Sequence, residues 1–271
     1  MTLAIILAAG RGSRLAPLTD TVPKCMVPFL GQPLFEWQLA ALNQAGITDI
    51  HVVTGYRSQA FEHYNVTEWH NPEWGRTNMV VSLMCGRVLL ENLSEDILIL
   101  YSDLIYEPEL IRKMSADTSE RGVMVDRDWL NIWSLRMNNP LDDAETLDYD
   151  ADGTLRDIGR KPDCLSQIQA QFIGIMKLTP TSARAMLAFW DAADEMPYWA
   201  QGKSKSNAYM TDMIRGMIDA GHKWTTVFTH NGWLEVDTIE DLRRYEIHIQ
   251  QGFAPSIIDL KTMEKRRTLD I

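Results

Sequence analysis

The chain has 271 residues, with 26 lysines and arginines against 37 aspartates and glutamates, and a formal net charge of −11. This length can bury the core of one large domain, while the acidic balance excludes a broad basic face for a nucleic-acid polymer. The three cysteines are odd in number and show no Cys-x-x-Cys spacing, so we expect reduced thiols in a cytoplasmic protein, with neither a disulfide framework nor a zinc site.

The first predicted element is a buried strand over residues 3–9, an apolar run that stops in a loop rich in glycine and arginine. No basic leader precedes the run and it is too short to span a membrane, so we expect no membrane partner. Gly10 and Gly12 allow backbone N–H groups to approach a phosphate chain closely. Three nearby cations strengthen the prediction of a nucleoside-triphosphate site: Arg11, Arg14 and Lys24.

Two other glycine-loop motifs do not match this loop. The dinucleotide-binding fingerprint requires a third glycine where Leu15 stands, and the Gly-Lys-Ser/Thr ending of a phosphate-binding loop is absent.

Strands and helices then alternate. Apolar residues at helical spacing from Leu34 end at Gly46, and a strand follows over residues 50–53. A helix that includes residues 79–88, a strand at 97–101 and a short helix at 107–114 continue the order. We therefore predict an α/β fold with a mostly parallel, doubly wound (Rossmann-like) sheet, and ligands at the carboxyl ends of its strands.

The spacing of apolar residues changes in the middle of the chain. Residues 123–177 read as short strands with a hairpin turn at Asp152-Gly153, which predicts an inserted mixed β lobe; the family resemblance given below implies that this lobe binds the acceptor of a transferred group. Helices are predicted at 181–193, at 208–220 and after Thr238, which can cap a helix. We expect a single domain with a nucleotide-binding half (about 1–122), an acceptor-binding half (about 123–235) and a C-terminal helical segment (about 236–271), whose charge-rich residues 261–267 are solvated.

Two aspartates stand where apolar segments end. Asp103 directly follows the predicted strand 97–101, and Asp237 ends the segment Trp233-Leu234-Glu235-Val236-Asp237. Mg²⁺ prefers hard oxygen ligands and usually takes one or two carboxylates, completed by phosphate and water. The sequence therefore suggests a magnesium site, with Glu235 on the same strand face as Asp237.

The N-terminal motif carries a family resemblance. Leu7-Ala8-Ala9-Gly10-Arg11-Gly12-Ser13-Arg14-Leu15, followed by Pro23-Lys24, resembles the signature of the nucleotidyltransferases that make nucleoside-diphosphate sugars and CDP-alcohols. The resemblance implies that Arg14 and Lys24 contact the phosphates and act with Asp103 in catalysis, and that Asp103 and Asp237 hold the metal. It also implies a nucleotide site at Leu7, Ala8, Ala9, Gly10, Arg11, Gly12, Ser82 and Ser102.

Central segments are similar to the phosphocholine cytidylyltransferase branch of that family. Asp126-Arg127-Asp128-Trp129 and Ile158-Gly159-Arg160-Lys161 are two of them. Sugar-specific relatives are expected to carry glycine in place of Ser102, and glutamate in place of Arg160. The similarity implies acceptor contacts by Asp126, Trp129, Trp133, Arg136, Arg160, Lys161 and Glu235, and leaves open which of Arg160 and Lys161 contacts the acceptor phosphate.

Aromatic residues are concentrated in the same half of the chain. Aromatic faces with nearby carboxylates hold ammonium groups, and Trp129 beside Asp126 would suit a cationic acceptor. The alternative is that these side chains belong to the core. The cluster consists of Trp129, Trp133, Tyr198, Trp199, Tyr209 and Trp233.

The sequence thus predicts a Mg²⁺-dependent cytidylyltransferase that transfers CMP from CTP to a small amine-bearing phosphoester or phosphonate and releases pyrophosphate. The acceptor is already anionic, so the protein must supply alignment and charge neutralisation and needs no general base. A homo-oligomer is compatible with the sequence. The alternatives are a sugar-1-phosphate nucleotidylyltransferase that uses UTP, dTTP or GTP, and a non-catalytic nucleotide-sensing module.

Overall fold

Thirteen strands occur in the part of the chain that this computed structural model describes, residues 2–193, 204–251 and 257–260. They are β1 (Thr2–Leu7), β2 (Pro28–Phe29), β3 (Gln32–Pro33), β4 (Ile50–Thr54), β5 (Thr67–His70), β6 (Asp96–Tyr101), β7 (Leu104–Tyr106), β8 (Arg121–Asp126), β9 (Leu147–Tyr149), β10 (Leu155–Ile158), β11 (Gln171–Leu178), β12 (Thr225–Thr229) and β13 (Trp233–Glu235). Seven of them form a central sheet in the order β12-β8-β11-β6-β1-β4-β5.

The central sheet is mostly parallel, which confirms the predicted fold class. β1 pairs in parallel with β4 and β6, β4 with β5, and β8 with β12. β11 is antiparallel to both of its neighbours, β6 and β8. The reason lies in the connection: β8 ends at Asp126, which pairs with Gln171 at the start of β11, so the intervening chain leaves and re-enters the sheet at the same edge.

Eight helices accompany the strands in the described residues. They are α1 (Leu34–Gln44), α2 (Met79–Cys85), α3 (Arg87–Glu91), α4 (Pro108–Ala116), α5 (Leu130–Arg136), α6 (Pro180–Ala192), α7 (Met210–Asp219) and α8 (Ile239–Gln250). Thr238 caps α8 as predicted, because its side chain accepts a hydrogen bond from the Asp241 amide at 3.0 Å. The helix expected across residues 79–88 is two helices, divided at Gly86.

The expected mixed β lobe is smaller than the sequence suggested. β8 and β11, which bound it, belong to the central sheet, and α5 lies where short strands were expected. Only the β9–β10 hairpin remains as a separate sheet between them. The segment 261–267 and the aromatic residues Tyr198 and Trp199 lie outside the described residues.

Both faces of the central sheet are buried. Successive side chains of a strand point to opposite faces, and β1 shows the consequence: Ala4 and Ile6 belong to one apolar core, whereas Leu3, Ile5 and Leu7 belong to the other. This two-sided burial explains the uninterrupted apolar run at the N-terminus. No helix in the described residues is long and apolar enough to cross a membrane.

A small antiparallel sheet extends the carboxyl edge of β6. β7 pairs with β13 so that Leu104 faces Glu235, and the Val236 amide donates a hydrogen bond to the Asp103 carbonyl at 2.9 Å. This pairing joins segments that are about 130 positions apart in the chain, and it brings Asp103, Glu235 and Asp237 together.

Candidate active site

The glycine loop after β1 is fixed by backbone contacts. The Ala8 amide donates to the Val53 carbonyl at 2.9 Å, and the Tyr56 amide donates to the Ala9 carbonyl at 3.0 Å. Gly12 has a φ of +75°, and a Cβ at this position would lie 2.7 Å from the Cβ of Lys24. Glycine is therefore required at position 12 both by the backbone conformation and by the close approach of Lys24.

Lys24 lies between two carboxylates. Its Nζ donates to Asp103 Oδ2 at 2.6 Å and also to Asp237 Oδ1. Burial alone would lower the pKa of Lys24, but the adjacent Asp103 and Asp237 carboxylates outweigh burial and raise it, so the side chain stays protonated. Arg14 approaches the same aspartate, with its Nη2 3.0 Å from Asp237 Oδ1.

Asp103, Glu235 and Asp237 form a carboxylate cluster in which ligand oxygens lie within 4.8 Å of one another. Asp103 Oδ1 is buried and has no hydrogen-bond partner among the described residues, so one oxygen remains for a further ligand. A set made only of carboxylate oxygens suits a hard divalent cation such as Mg²⁺. The residues present therefore fit the metal that the sequence suggested.

The carboxylates of this cluster differ in their ionisation. Burial, together with Asp237 and Asp103, raises the pKa of Glu235 to about 8 against the influence of Arg136. Burial also opposes the charge on Asp237, yet Lys24 and Arg14 outweigh it and lower the pKa of Asp237. The pKa values of these two neighbouring carboxyl groups are therefore shifted in opposite directions.

Arg136 supports the cluster from behind. Its guanidinium donates to Glu235, to Asp237 Oδ2 at 3.2 Å and to Asp241 Oδ1 at 3.4 Å, and its side chain is only 2% exposed. It does not line the cavity described below. The expectation that Arg136 contacts the acceptor is corrected accordingly: its donors are directed at protein carboxylates, and it holds them in place.

A cavity of about 700 Å³ opens in front of Lys24 and the carboxylates. A smaller cavity of about 140 Å³ shares Gly10, Lys24 and Asp103 with it. The smaller cavity brings together most of the predicted nucleotide contacts: Leu7, Ala9, Gly10, Ser82 and Ser102.

Three predicted nucleotide contacts do not line either cavity. Ala8 is buried in the core, and Gly12 lies behind Lys24. Arg11 is exposed, pairs with Asp20 at 2.9 Å and lies over the ring of Tyr56 at 5.5 Å. The structure therefore gives Ala8 and Gly12 a supporting position, and it directs Arg11 to the surface.

The predicted acceptor residues divide into two groups. Trp133 and Glu235 line the larger cavity, as does Trp233. Asp126 is fully buried and accepts hydrogen bonds from the Trp233 indole at 2.8 Å and from two backbone amides, so it holds Trp233 and is out of an acceptor's reach. Trp129 packs edge-on against Trp133, with ring centroids 5.7 Å apart, and is likewise a core residue.

Arg160 and Lys161 both lie away from the cavity. Arg160 is exposed and pairs with Asp157 at 3.1 Å, while Lys161 donates to the backbone carbonyls of Leu141 and Asp142. Gly159, which precedes both cations, has a φ of +86° and turns the chain at this point. It lies so close to Thr211 that a Cβ at position 159 would be 2.5 Å from that residue. Thr211 lines the cavity in place of the two cations.

Several cavity-lining residues had no assigned role in the sequence. They are Asn78, Tyr101, Asp143, Glu145, Gln171 and Thr211. Nothing in the local sequence pattern shows which of these side chains face the ligand. Tyr209, one of the clustered aromatic residues, also lines the cavity.

Glu145 is held by a reciprocal contact with the start of β11. Its amide donates to Gln171 Oε1 at 3.1 Å, and Gln171 Nε2 donates back to the Glu145 carbonyl. Burial, followed by the nearby Asp212 and Asp143, raises the pKa of Glu145 to about 7, against the weaker influence of Arg215. A carboxyl that ionises near neutral pH therefore lines the cavity at a fixed position.

Comparison with known proteins agrees with this geometry. Residues 4–157 match the family model of the MobA-like NTP transferase domain. CTP:phosphoglutamine cytidylyltransferase of Campylobacter jejuni is 33% identical over 256 residues, which cover 92% of this chain and 99% of that protein. 2-Aminoethylphosphonate cytidylyltransferase of Lancefieldella rimae is 36% identical over 116 residues, 40% of this chain and 47% of that protein.

A solved structure shows the same fold. The CTP:phosphocholine cytidylyltransferase of Streptococcus pneumoniae superposes with a TM-score of 0.68 at 22% sequence identity, covering 92% of this chain and 99% of that chain.

Proposed function

Because this chain belongs to the MobA-like NTP transferase family and to its cytidylyltransferase branch, we propose that it transfers CMP from CTP to a small amine-bearing phosphoester or phosphonate. One observation carries the proposal: a single cavity joins the glycine loop and Lys24 to a wall of carboxylates and aromatic rings. Phosphorylated amino-acid amides and aminoalkylphosphonates, the acceptors named for the relatives, combine an anionic and a cationic group in this way.

The charges of the cavity favour substrates that bring cations with them. Among the described lining residues two are cationic, Arg14 and Lys24. Five carry a carboxyl group: Asp103, Asp143, Glu145, Glu235 and Asp237. A triphosphate and an acceptor phosphate add further negative charge, which the two cations alone do not balance. A divalent cation and an acceptor ammonium group would offset part of this negative charge, whereas the uncharged sugar of a sugar phosphate would not.

The reaction follows from this arrangement. An oxygen of the acceptor phosphate or phosphonate attacks the α-phosphorus of CTP, a P–O bond forms, and pyrophosphate leaves with the electron pair of the broken P–O bond. Lys24 and Arg14 neutralise negative charge on the phosphates, and the cavity walls align the two anions. Mg²⁺ held by Asp103 and Asp237 would offset further charge on the triphosphate.

Two further expectations belong to this proposal. The three cysteines are free in the structure, which supports placing the reaction in the cytoplasm. The division into a nucleotide-binding half before residue 123 and an acceptor-binding half after it is supported by the positions of the smaller and larger cavities, although the larger cavity also uses residues of the first half.

Pyrophosphate release with Mg²⁺ tests the proposal directly. CTP, UTP, GTP and dTTP are each combined with phosphoglutamine, 2-aminoethylphosphonate, phosphocholine and glucose-1-phosphate. We expect release with CTP and an amine-bearing acceptor, and its loss in Asp103→Asn. Turnover with glucose-1-phosphate in preference to every amine-bearing acceptor, or nucleotide binding without any turnover, would overturn the proposal and favour a sugar nucleotidyltransferase or a sensing module, respectively.

A further inference from the structure

Glu145 has no partner for its charge within the described residues. Its carboxylate makes no hydrogen bond or ion pair there, although its backbone is clamped to Gln171. Arg215 lowers the pKa of Glu145 only weakly, and it donates elsewhere: its Nη2 to Asp212 Oδ1 at 2.8 Å and its Nη1 to the Ile158 carbonyl at 3.4 Å. A carboxylate held at the cavity wall without a protein cation is a binding site for a cation that comes with the ligand.

The tryptophan rings of the cavity already contact protein groups. The guanidinium of Arg136 lies over the ring of Trp133 at 5.4 Å, and the rings of Trp129 and Trp233 pack against it at 5.7 and 5.9 Å. A quaternary ammonium group has no N–H and depends on ring faces, whereas a primary ammonium group donates hydrogen bonds to carboxylates. The Glu145 carboxylate thus offers a primary ammonium group a hydrogen bond that a quaternary one cannot make.

We propose that Glu145 binds the primary ammonium group of the acceptor and is the residue that selects amine-bearing acceptors over quaternary and uncharged ones. This inference rests on the proposed function. Gln171 fixes the position of Glu145 through the backbone, while Asp143 adds negative charge on the same wall. Lys24 and Arg14 neutralise the acceptor's phosphate end, so the two ends of the acceptor are recognised by opposite charges.

Paired acceptors test the role of Glu145. 2-Aminoethylphosphonate and ethylphosphonate differ only by the amine, and phosphoethanolamine and phosphocholine differ only by three methyl groups. For the wild-type protein we expect a higher kcat/KM with the primary amine in each pair. In Glu145→Gln, kcat/KM for 2-aminoethylphosphonate should fall by about 10- to 100-fold, the range for a lost hydrogen bond to a charged group, while that for ethylphosphonate changes less than about twofold.

Two control variants complete the experiment. Glu62→Gln makes the same change at an exposed position outside the cavities and should leave both acceptors unaffected. Glu145→Asp keeps the charge and should retain part of the preference. An equal loss for both phosphonates in Glu145→Gln, or a wild-type protein that uses them equally well with CTP, would overturn this inference and leave the proposed function standing. A wild-type protein without CTP-dependent turnover of any acceptor would overturn the proposed function itself.

Discussion

Lys24 contacts both aspartates of the site, Asp103 and Asp237, and its side chain packs closely against Gly12. In Lys24→Met we expect kcat to fall by about 10²- to 10³-fold, because a preorganised donor to the transferring phosphate is lost. The dissociation constant for CTP should rise much less, because the glycine loop and Arg14 remain. Steady-state kinetics and calorimetric titration with CTP measure the two effects.

Lys24→Arg is the matched control for charge. It should keep the fold and part of the nucleotide affinity, but not the turnover, because the guanidinium does not fit between the two aspartates in the same way. A loss of CTP affinity in Lys24→Met with kcat unchanged would assign Lys24 to ground-state binding only.

Glu145 predicts a pH dependence of acceptor choice. The charged groups that face it are Asp143, Asp212 and Arg215, with the ring of Tyr101 nearby, and its pKa is raised to about 7 mainly by burial. The carboxyl is thus largely neutral at pH 6 and largely charged at pH 8, and only the charged form pairs with an ammonium group. The ratio of kcat/KM for 2-aminoethylphosphonate to that for ethylphosphonate, divided by the same ratio in Glu145→Gln, should rise about tenfold between these pH values.

Dividing by the ratio in Glu145→Gln cancels the different ionisation of the two phosphonates and the titration of the metal-binding carboxylates. The ammonium group lowers the second pKa of 2-aminoethylphosphonate relative to that of ethylphosphonate, and the ratio in the variant records this difference without the contribution of Glu145. A ratio that rises equally in the variant would assign the titration to another group.

At the scale of elements, the glycine loop requires the absence of a side chain at position 12. Gly12 and Gly31 have similar φ values, +75° and +79°, so alanine strains the backbone similarly at both. Only at Gly12 would the new Cβ meet Lys24, at 2.7 Å, whereas nothing lies within 4 Å at Gly31. We expect Gly12→Ala to reduce kcat at least tenfold more than Gly31→Ala, with similar losses of about 1 kcal/mol in unfolding free energy. Equal kinetics for the two variants would contradict this reading of the loop.

Arg136 links α5, β13 and the first turn of α8 through buried charges. Removing its guanidinium leaves Glu235, Asp237 and Asp241 without their shared cation. Arg136→Met should therefore lower the free energy of unfolding by about 3–5 kcal/mol. Arg156→Met is the control: Arg156 pairs with Asp150 at the surface, where water screens the charges, so its loss should change the free energy of unfolding far less. Urea denaturation measures both, and similar losses would mean that the network is not a structural link.

At the scale of the whole molecule, the net charge of −11 and the carboxylate-rich cavity predict that nucleotide binding depends on a cation. CTP and Mg²⁺ together should raise the melting temperature more than the sum of their separate effects, with a stabilisation of about 2.7 kcal/mol when the complex is present at 100 times its dissociation constant. Differential scanning fluorimetry with and without EDTA measures this. Full stabilisation by CTP in EDTA would contradict it, and Asp103→Asn should remove the part that depends on the metal.

The sequence by itself determined the fold class and the centre of the site. Periodicity and glycine positions are local properties, and alternating strands and helices place the ends of parallel strands at one edge. The loop after β1 and Asp103 after β6 therefore had to meet, and the structure brings together Lys24, Asp103 and Asp237, which the resemblance to the nucleotidyltransferases assigned to one site.

Only the tertiary structure decided which acceptor-half residues face the cavity. The predicted acceptor contacts include three cations: Arg136, Arg160 and Lys161. Arg136 is directed at protein carboxylates. Arg160 and Lys161 follow the turn at Gly159 and lie away from the cavity, whose wall is formed there by Thr211. Glu145 reaches the wall because Gln171, 26 positions later, clamps its backbone. The sequence pattern also did not show that β11 runs antiparallel to its neighbours. These outcomes depend on contacts between segments that are distant in the chain. Such contacts set the direction of a side chain, and the local sequence pattern does not contain them.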